Sequence, residues 1–141
     1  MKFYFAYGSN MCIKQMQKRC PNHKIVGNGV LKHYRWIISS RGYANIVKSP
    51  QSIVYGTVYE ISESDERTLD QYEGVTSGSY LKKMHGIVIN ESLLTCIVYV
   101  DPIEEEGSPK AEYIVRINKG IEDAKLPCDY VQNSIRKFVP S

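Results

Sequence analysis

The stretch Phe5-Ala6-Tyr7-Gly8-Ser9-Asn10-Met11 constrains this chain more than any other. Lys2 to Tyr7 reads as a short strand, a helical pattern opens at Asn10 or Met11, and Gly8 lies between the two. Glycine at that point predicts a reversal at positive φ with room for a ligand to approach the backbone. Ser9 and Asn10 are residue types that favour turns and helix N-caps. Strand, glycine turn and helix start together make a small nest of backbone N–H groups, which suits an anion. Taken alone, the same turn is also an ordinary strand-to-helix connection.

Length and composition set the frame for that turn. The 141 residues predict one domain, residues 1–141, long enough to bury a proper core. Eighteen basic residues against 15 acidic give a net charge of +3, and no run of Lys and Arg makes a phosphate-binding stripe, which argues against nucleic acid. The 11 tyrosines fall mainly inside apolar runs, so core and pocket lining is their expected use. The apolar start is too short for a signal-peptide core and no later run reaches membrane-spanning length, so a cytoplasmic protein without a membrane partner is expected. Cys12, Cys20, Cys96 and Cys128 show no C-x-x-C pair and read as reduced thiols rather than a zinc site.

Along the chain, Met11 to Arg19 predicts a short helix stopped by Cys20-Pro21. Gly27 to Gly29 lead into a strand over Val30 to Ile38, Arg41-Gly42-Tyr43 reads as a turn, and Ala44 to Val47 as a short strand. A second turn at Ser49-Pro50-Gln51 precedes a long β-branched strand over Ile53 to Ile61, in which Gly56 marks a bulge or a close backbone approach. Ser62 is placed to cap a helix running through Leu69 and Tyr72, with Asp65 as its acidic partner and Gly74 as its end. Tyr80 to Ile89 and Leu93 to Val100 read as paired strands joined at Asn90-Glu91-Ser92. Asp101 to Gly107 reads as an acidic, exposed linker, Ser108-Pro109 as the start of a helix through Tyr113, Ile117 and Ile121, and about Pro127 to Phe138 as a last helix. Strands outnumber helices without alternating with them, which argues for an α+β fold with a strongly curved or closed sheet.

A second chemical stretch is Leu69-Asp70-Gln71-Tyr72-Glu73-Gly74, followed by Val75 to Tyr80. Glu73 stands at a helix end directly before a glycine, where the backbone can turn its side chain into a pocket. Desolvation and the negative end of the helix would both raise its pKa there, and a raised carboxyl is what general acid/base work near neutral pH needs. The plainer reading is a solvated glutamate.

Several short motifs then fall in one order: Phe5 to Met11, Ala44-Asn45-Ile46, Tyr55-Gly56-Thr57-Val58-Tyr59, Leu69 to Gly74 with Gly78-Ser79-Tyr80, Ser108-Pro109 with Tyr113, and Leu126-Pro127-Cys128-Asp129-Tyr130. In that order the chain resembles the gamma-glutamylcyclotransferase family over nearly its whole length. The resemblance implies a compact mixed β-barrel with flanking α-helices and an enzyme that releases 5-oxoproline from a γ-glutamyl amide. It implies that Tyr7, Gly8, Ser9 and Asn10 hold the γ-glutamyl group, that Glu73 is the catalytic acid/base, and that Tyr80 and Tyr113 line the pocket. Two departures stand out: the spacing from Ser108 to Tyr113 is slightly long, and Lys125 occupies a position where the family often has glycine before Leu-Pro.

The implied chemistry needs no external nucleophile, metal or organic cofactor, because the substrate's own α-amino group can attack its γ-carbonyl. Its partner is then a small γ-glutamyl molecule, acting on a monomer or homodimer. Ser9 lacks a G-x-S-x-G elbow and Cys12 lacks a basic partner, while His23, His33 and His85 are isolated in the sequence. Glu104-Glu105-Glu106 reads as a solvated loop that could border the pocket. Two other functions fit the same residues: a relative releasing 5-oxoproline from γ-glutamyl amines or a γ-glutamylated metabolite, and a non-catalytic small-ligand-binding module.

Overall fold

The longest pairing in the molecule joins two strands rich in β-branched and aromatic residues, Lys24–Ile38 (β2) and Ala44–Ile61 (β3), antiparallel from Lys24 opposite Glu60 to Ile38 opposite Ala44. The computed structural model describes residues 2–141. In it the expected turn at Ser49-Pro50-Gln51 is part of β3. The register jumps there from Lys32 opposite Ile53 to Tyr34 opposite Lys48, so residues 49–52 face the single residue His33. Pro50 has no N–H to give a ladder, and a bulge is where a strand tolerates it. His33 absorbs the kink with φ at 73°, its ring Nδ1 lying 2.9 Å from the Pro50 carbonyl oxygen. β2 also starts earlier than expected, taking in Gly27 and Gly29.

Lys2–Ala6 (β1) pairs antiparallel with β3, Phe5 opposite Val58. Leu81–Ile89 (β4) and Ser92–Val100 (β5) form a hairpin whose turn residues Asn90 and Glu91 both have positive φ, 48° and 67°. Val30 of β2 pairs with Val88 of β4, and Tyr4 of β1 runs parallel to Ile97 of β5, which closes a mixed barrel in the order β1, β3, β2, β4, β5. Phe5, Val54, Val58, Ile87 and Val98 are fully buried in its core. A Cβ at Gly56 would strike the Ala6 carbonyl oxygen and come within 2.8 Å of the Phe5 ring, so the close approach expected at this glycine is real.

The helices flank the barrel. Ser9–Met11 is a single 3-10 turn and Ile13–Arg19 is α1, with Cys12 extended between them. The continuous helix expected from Met11 breaks because Asn10 and Met11 are drawn into the core, where the Tyr59 hydroxyl donates to the Asn10 carbonyl at 2.8 Å. Glu63–Tyr72 (α2) begins on the expected capping box of Ser62 and Asp65. Ala111–Ala124 (α3) starts after the expected Ser108-Pro109, on Lys110 with no side-chain cap, because the Lys110 N–H is bonded to the Gly42 carbonyl at 3.2 Å. The last helix starts about where expected but is irregular and ends a few residues early: Cys128–Tyr130 (α4) widens into a π-helical turn over Val131–Ile135. Among the described residues no helix is long and apolar enough to cross a membrane.

Lys125 ends α3 in the left-handed region, φ 53° and ψ 50°, and the Leu126 N–H reaches back to the Ile121 carbonyl at 3.3 Å. That is a conformation glycine adopts without strain and lysine does not. Lys125→Gly is expected to stabilise the protein by about 1 kcal/mol. A higher urea midpoint with an unchanged slope would bear this out, and a lower one would refute it.

Candidate active site

The chain enters the site through β1. Trp36 donates its indole N–H to the Tyr7 carbonyl at 2.8 Å, and the Tyr7 hydroxyl donates to the Tyr99 carbonyl at 2.5 Å. The turn that follows closes through the Met11 N–H, bonded to the Gly8 carbonyl at 3.1 Å. Gly8 does not take the expected positive φ; its φ is −121°. What the position requires instead is the missing side chain, since a Cβ would stand 2.9 Å from the Tyr113 hydroxyl and 3.1 Å from the Ala44 Cβ.

Beside this turn lies a cavity of about 360 Å³. Tyr7, Gly8, Ser9, Asn10, Glu73, Tyr80 and Tyr113 all line it, so residues from three distant parts of the chain meet there. Asn10 is held from three sides: its Nδ2 donates to the Tyr4 hydroxyl at 2.9 Å, and its Oδ1 accepts from Gln15 at 2.8 Å and Arg19 at 3.1 Å. Gln15 also donates to Ser9 Oγ at 2.8 Å. Tyr113 accepts the Ala44 N–H at 3.2 Å while Tyr80 donates to the Ala44 carbonyl at 3.0 Å, so both hydroxyls are fixed against one residue. Burial raises the pKa of each, and both remain neutral donors at ordinary pH.

Glu73 follows the last residue of α2, its N–H bonded to the Leu69 carbonyl at 2.9 Å, and Gly74 then reverses the chain at φ 64°. Its half-buried carboxyl faces the cavity. Burial pushes its pKa up to about 7, against the opposing pull of the Arg19 and Arg41 guanidiniums. Desolvation accounts for the direction that sequence reasoning ascribed jointly to burial and the helix end.

Three arginines in the wall were not anticipated: Arg19, Arg41 and Arg116. Arg41 had read as part of a turn. It donates from Nε to Asp101 Oδ2 at 3.0 Å and from its second terminal nitrogen to the Ser79 carbonyl at 2.9 Å. Asp101 itself is 1% exposed, which corrects the expectation that it opens an exposed linker; Glu104 to Glu106 are exposed as expected. Asp101 is drawn inside because Ser39 Oγ, Arg41 and the Ile103 N–H all donate to its carboxylate. A uniformly acidic segment read as a linker gave no hint of that burial.

The model of the AIG2-like family matches residues 53–133, which include Glu73, Tyr80 and Tyr113. The chain belongs to the AIG2-like family. It is 28% identical over 149 residues to the Gamma-glutamylcyclotransferase of Homo sapiens, covering 98% of this chain and 79% of that one. The Gamma-glutamylcyclotransferase of Mus musculus is 29% identical over the same spans. A solved structure titled Gamma-glutamyl cyclotransferase superimposes with a TM-score of 0.89 at 26% identity, covering 99% of this chain and 89% of that one. The similarity to these relatives also spans the Gly8 turn, which precedes the residues matched by the family model.

The raised Glu73 pKa is also a statement about stability. An unfolded glutamate titrates near 4.3, so between about pH 4.5 and 7 the folded chain holds its proton more tightly than the unfolded one. Stability is lost as pH rises through that window. Glu73→Gln is expected to be more stable than the wild type by roughly 2 kcal/mol at pH 8, discounted for the carboxyl's opening onto the cavity, and nearly equal at pH 4.5. Urea unfolding at the two pH values checks this; an equal gap at both would refute it.

Proposed function

We propose that this AIG2-like chain is a gamma-glutamylcyclotransferase that closes a γ-glutamyl amide into 5-oxoproline and frees the amine. The observation that carries the reading is Glu73, a carboxyl near pKa 7 in a cavity shared with the Gly8 turn. The relatives named above support the activity.

In the proposed mechanism the substrate enters with its α-amino group protonated. The Glu73 carboxylate takes one proton from that ammonium, and the freed nitrogen lone pair attacks the γ-carbonyl carbon. The carbonyl π electrons move to oxygen, which the N–H groups of residues 7–10 stabilise as an oxyanion. When the carbonyl re-forms, the bond to the leaving nitrogen breaks and Glu73 returns the proton to that nitrogen. The carboxylate so regenerated takes the second surplus proton from the ring nitrogen, leaving the neutral lactam N–H, and passes it to the freed amine, which departs as an ammonium while Glu73 ends as the carboxylate. Holding the glutamyl chain folded supplies the proximity advantage of an intramolecular reaction. Tyr80 and Tyr113, neutral and fixed by Ala44, shape the wall against which the chain folds.

The base form of Glu73 is the active one, so kcat/KM is expected to rise with pH and level off above an inflection near 7. Glu73→Gln, with the shape kept and the proton acceptor removed, is expected to lose at least 100-fold in 5-oxoproline release. Release measured on γ-glutamyl amino acids, γ-glutamyl amines and glutathione tests both. Turnover by the variant at the wild-type rate would remove Glu73 from the chemistry, and binding without turnover by the wild type would make the chain a ligand-binding module.

A further inference from the structure

The arginines of the cavity wall are not equivalent. Arg41 is tied to the buried Asp101 carboxylate at 3.0 Å, and Arg116 lies 3.3 Å from the exposed Glu112. Arg19 has no carboxylate within ion-pair distance among the described residues. It is nevertheless held in place. One terminal nitrogen donates to Asn10 Oδ1 at 3.1 Å, and its guanidinium carbon lies 4.3 Å above the centre of the Tyr72 ring.

A guanidinium has five N–H donors arranged as a fork that matches a carboxylate. One donor of Arg19 is spent on Asn10 and one face on Tyr72, which leaves the rest of the fork at the cavity wall without a protein acceptor among the described residues. Tyr72 is 59% exposed, so this end of the cavity is its mouth, whereas Asn10 and Tyr7 behind it are buried. In a cyclisation the γ-glutamyl group must fold deep against the turn, and the leaving amine must depart towards solvent. An unneutralised cation beside the departing end is therefore placed for a negative charge on the leaving group.

We infer that Arg19 is a specificity-determining residue that pairs with a carboxylate carried by the leaving group, so that the site selects γ-glutamyl amino acids and peptides over γ-glutamyl amines. The inference rests on the cyclotransferase reading. At neutral pH a γ-glutamyl amino acid carries two carboxylates and one ammonium, a γ-glutamyl amine only one of each. The extra carboxylate meets Arg19 in a partly dehydrated cavity, where a charge-assisted, two-pronged contact is worth more than at the surface.

The test compares γ-glutamylalanine with γ-glutamylethylamine, which differ only in the leaving group's carboxylate, on the wild type, Arg19→Lys and Arg19→Met. The wild type is expected to favour γ-glutamylalanine by about 10- to 100-fold in kcat/KM, mostly through KM. Arg19→Met should lower the γ-glutamylalanine value at least ten times further than the γ-glutamylethylamine value, with Arg19→Lys between the two. Any shift in the titration of Glu73 acts on both substrates alike and cancels in the ratio. An unchanged ratio in Arg19→Met, or equal use of the two compounds by the wild type, would overturn the assignment while leaving the cyclotransferase reading intact. Absence of 5-oxoproline from every γ-glutamyl compound with the wild type would overturn both. Should Arg19→Met fail to fold, the wild-type ratio and that of Arg19→Lys still decide.

Discussion

The arrangement of the site depends on one buried carboxylate. Asp101 is almost wholly removed from water, and its two oxygens accept from Ser39 at 3.1 Å, from Arg41 at 3.0 Å and from the Ile103 N–H at 2.8 Å. Asn45 completes the node, accepting the Asp101 N–H at 2.9 Å and donating to the carbonyls of Asp101 and Ile103 at 3.0 Å. A charge buried without partners costs several kcal/mol, so Arg41 has little freedom once Asp101 is inside. The same guanidinium donates to the Ser79 carbonyl and lies 5.2 Å from the centre of the Tyr80 ring. The need to neutralise Asp101 thus joins the end of β2, the start of β3, the end of β5 and the loop after Glu73, which are the pieces that make the cavity wall.

The parts of this design that local chemistry dictates were legible in the sequence. Ser62 and Asp65 form a capping box from residues three apart, and the hairpin expected at Asn90-Glu91-Ser92 is present, one residue tighter because Ser92 in β5 already pairs with Ile89. The turn residues 7–10, Glu73, Tyr80 and Tyr113 were named together through an ordered set of motifs, and they share one cavity. What could not be read was set by partners far away in the chain. Ser49-Pro50-Gln51 has the composition of a turn, yet its bulge is fixed by His33, 17 residues from Pro50. Asp101 has the composition of a linker, yet Arg41 lies 60 residues before it. Gly8 was assigned for its backbone freedom, whereas its reason is the Tyr113 hydroxyl on α3. Arg19 gave no local signal at all, because a basic residue in the last turn of a helix is what helix electrostatics favour in any case.

Glu73 sets folding and chemistry against each other. Raising a carboxyl from its usual range to about 7 corresponds to roughly 3 kcal/mol of differential interaction between its two protonation states. Two guanidiniums attract the ionised form, so the desolvation that opposes them must exceed even that amount. A more open site would let Glu73 ionise freely and leave it a poor proton donor to a departing amine. A more closed one would hold it protonated and leave it a poor base. A carboxyl near the operating pH can serve in both directions of a single turnover, and the protein accepts a less favourable interior charge to keep it there.

The tyrosines explain why this balance can hold in so polar a cavity. Tyr4, Tyr7, Tyr80 and Tyr113 are all pushed above the ordinary phenol range, chiefly by burial, with the charge of Glu73 adding to the effect in each. They give the wall fixed hydroxyl dipoles without adding any group that changes charge near neutrality. Had these positions been histidine or aspartate, each would have titrated against Glu73, and the proton would have had several resting places. With phenols around it and the Arg41 charge already matched by Asp101, Glu73 is the one carboxyl lining the cavity among the described residues, and its neighbours can orient a substrate without competing for the proton it moves.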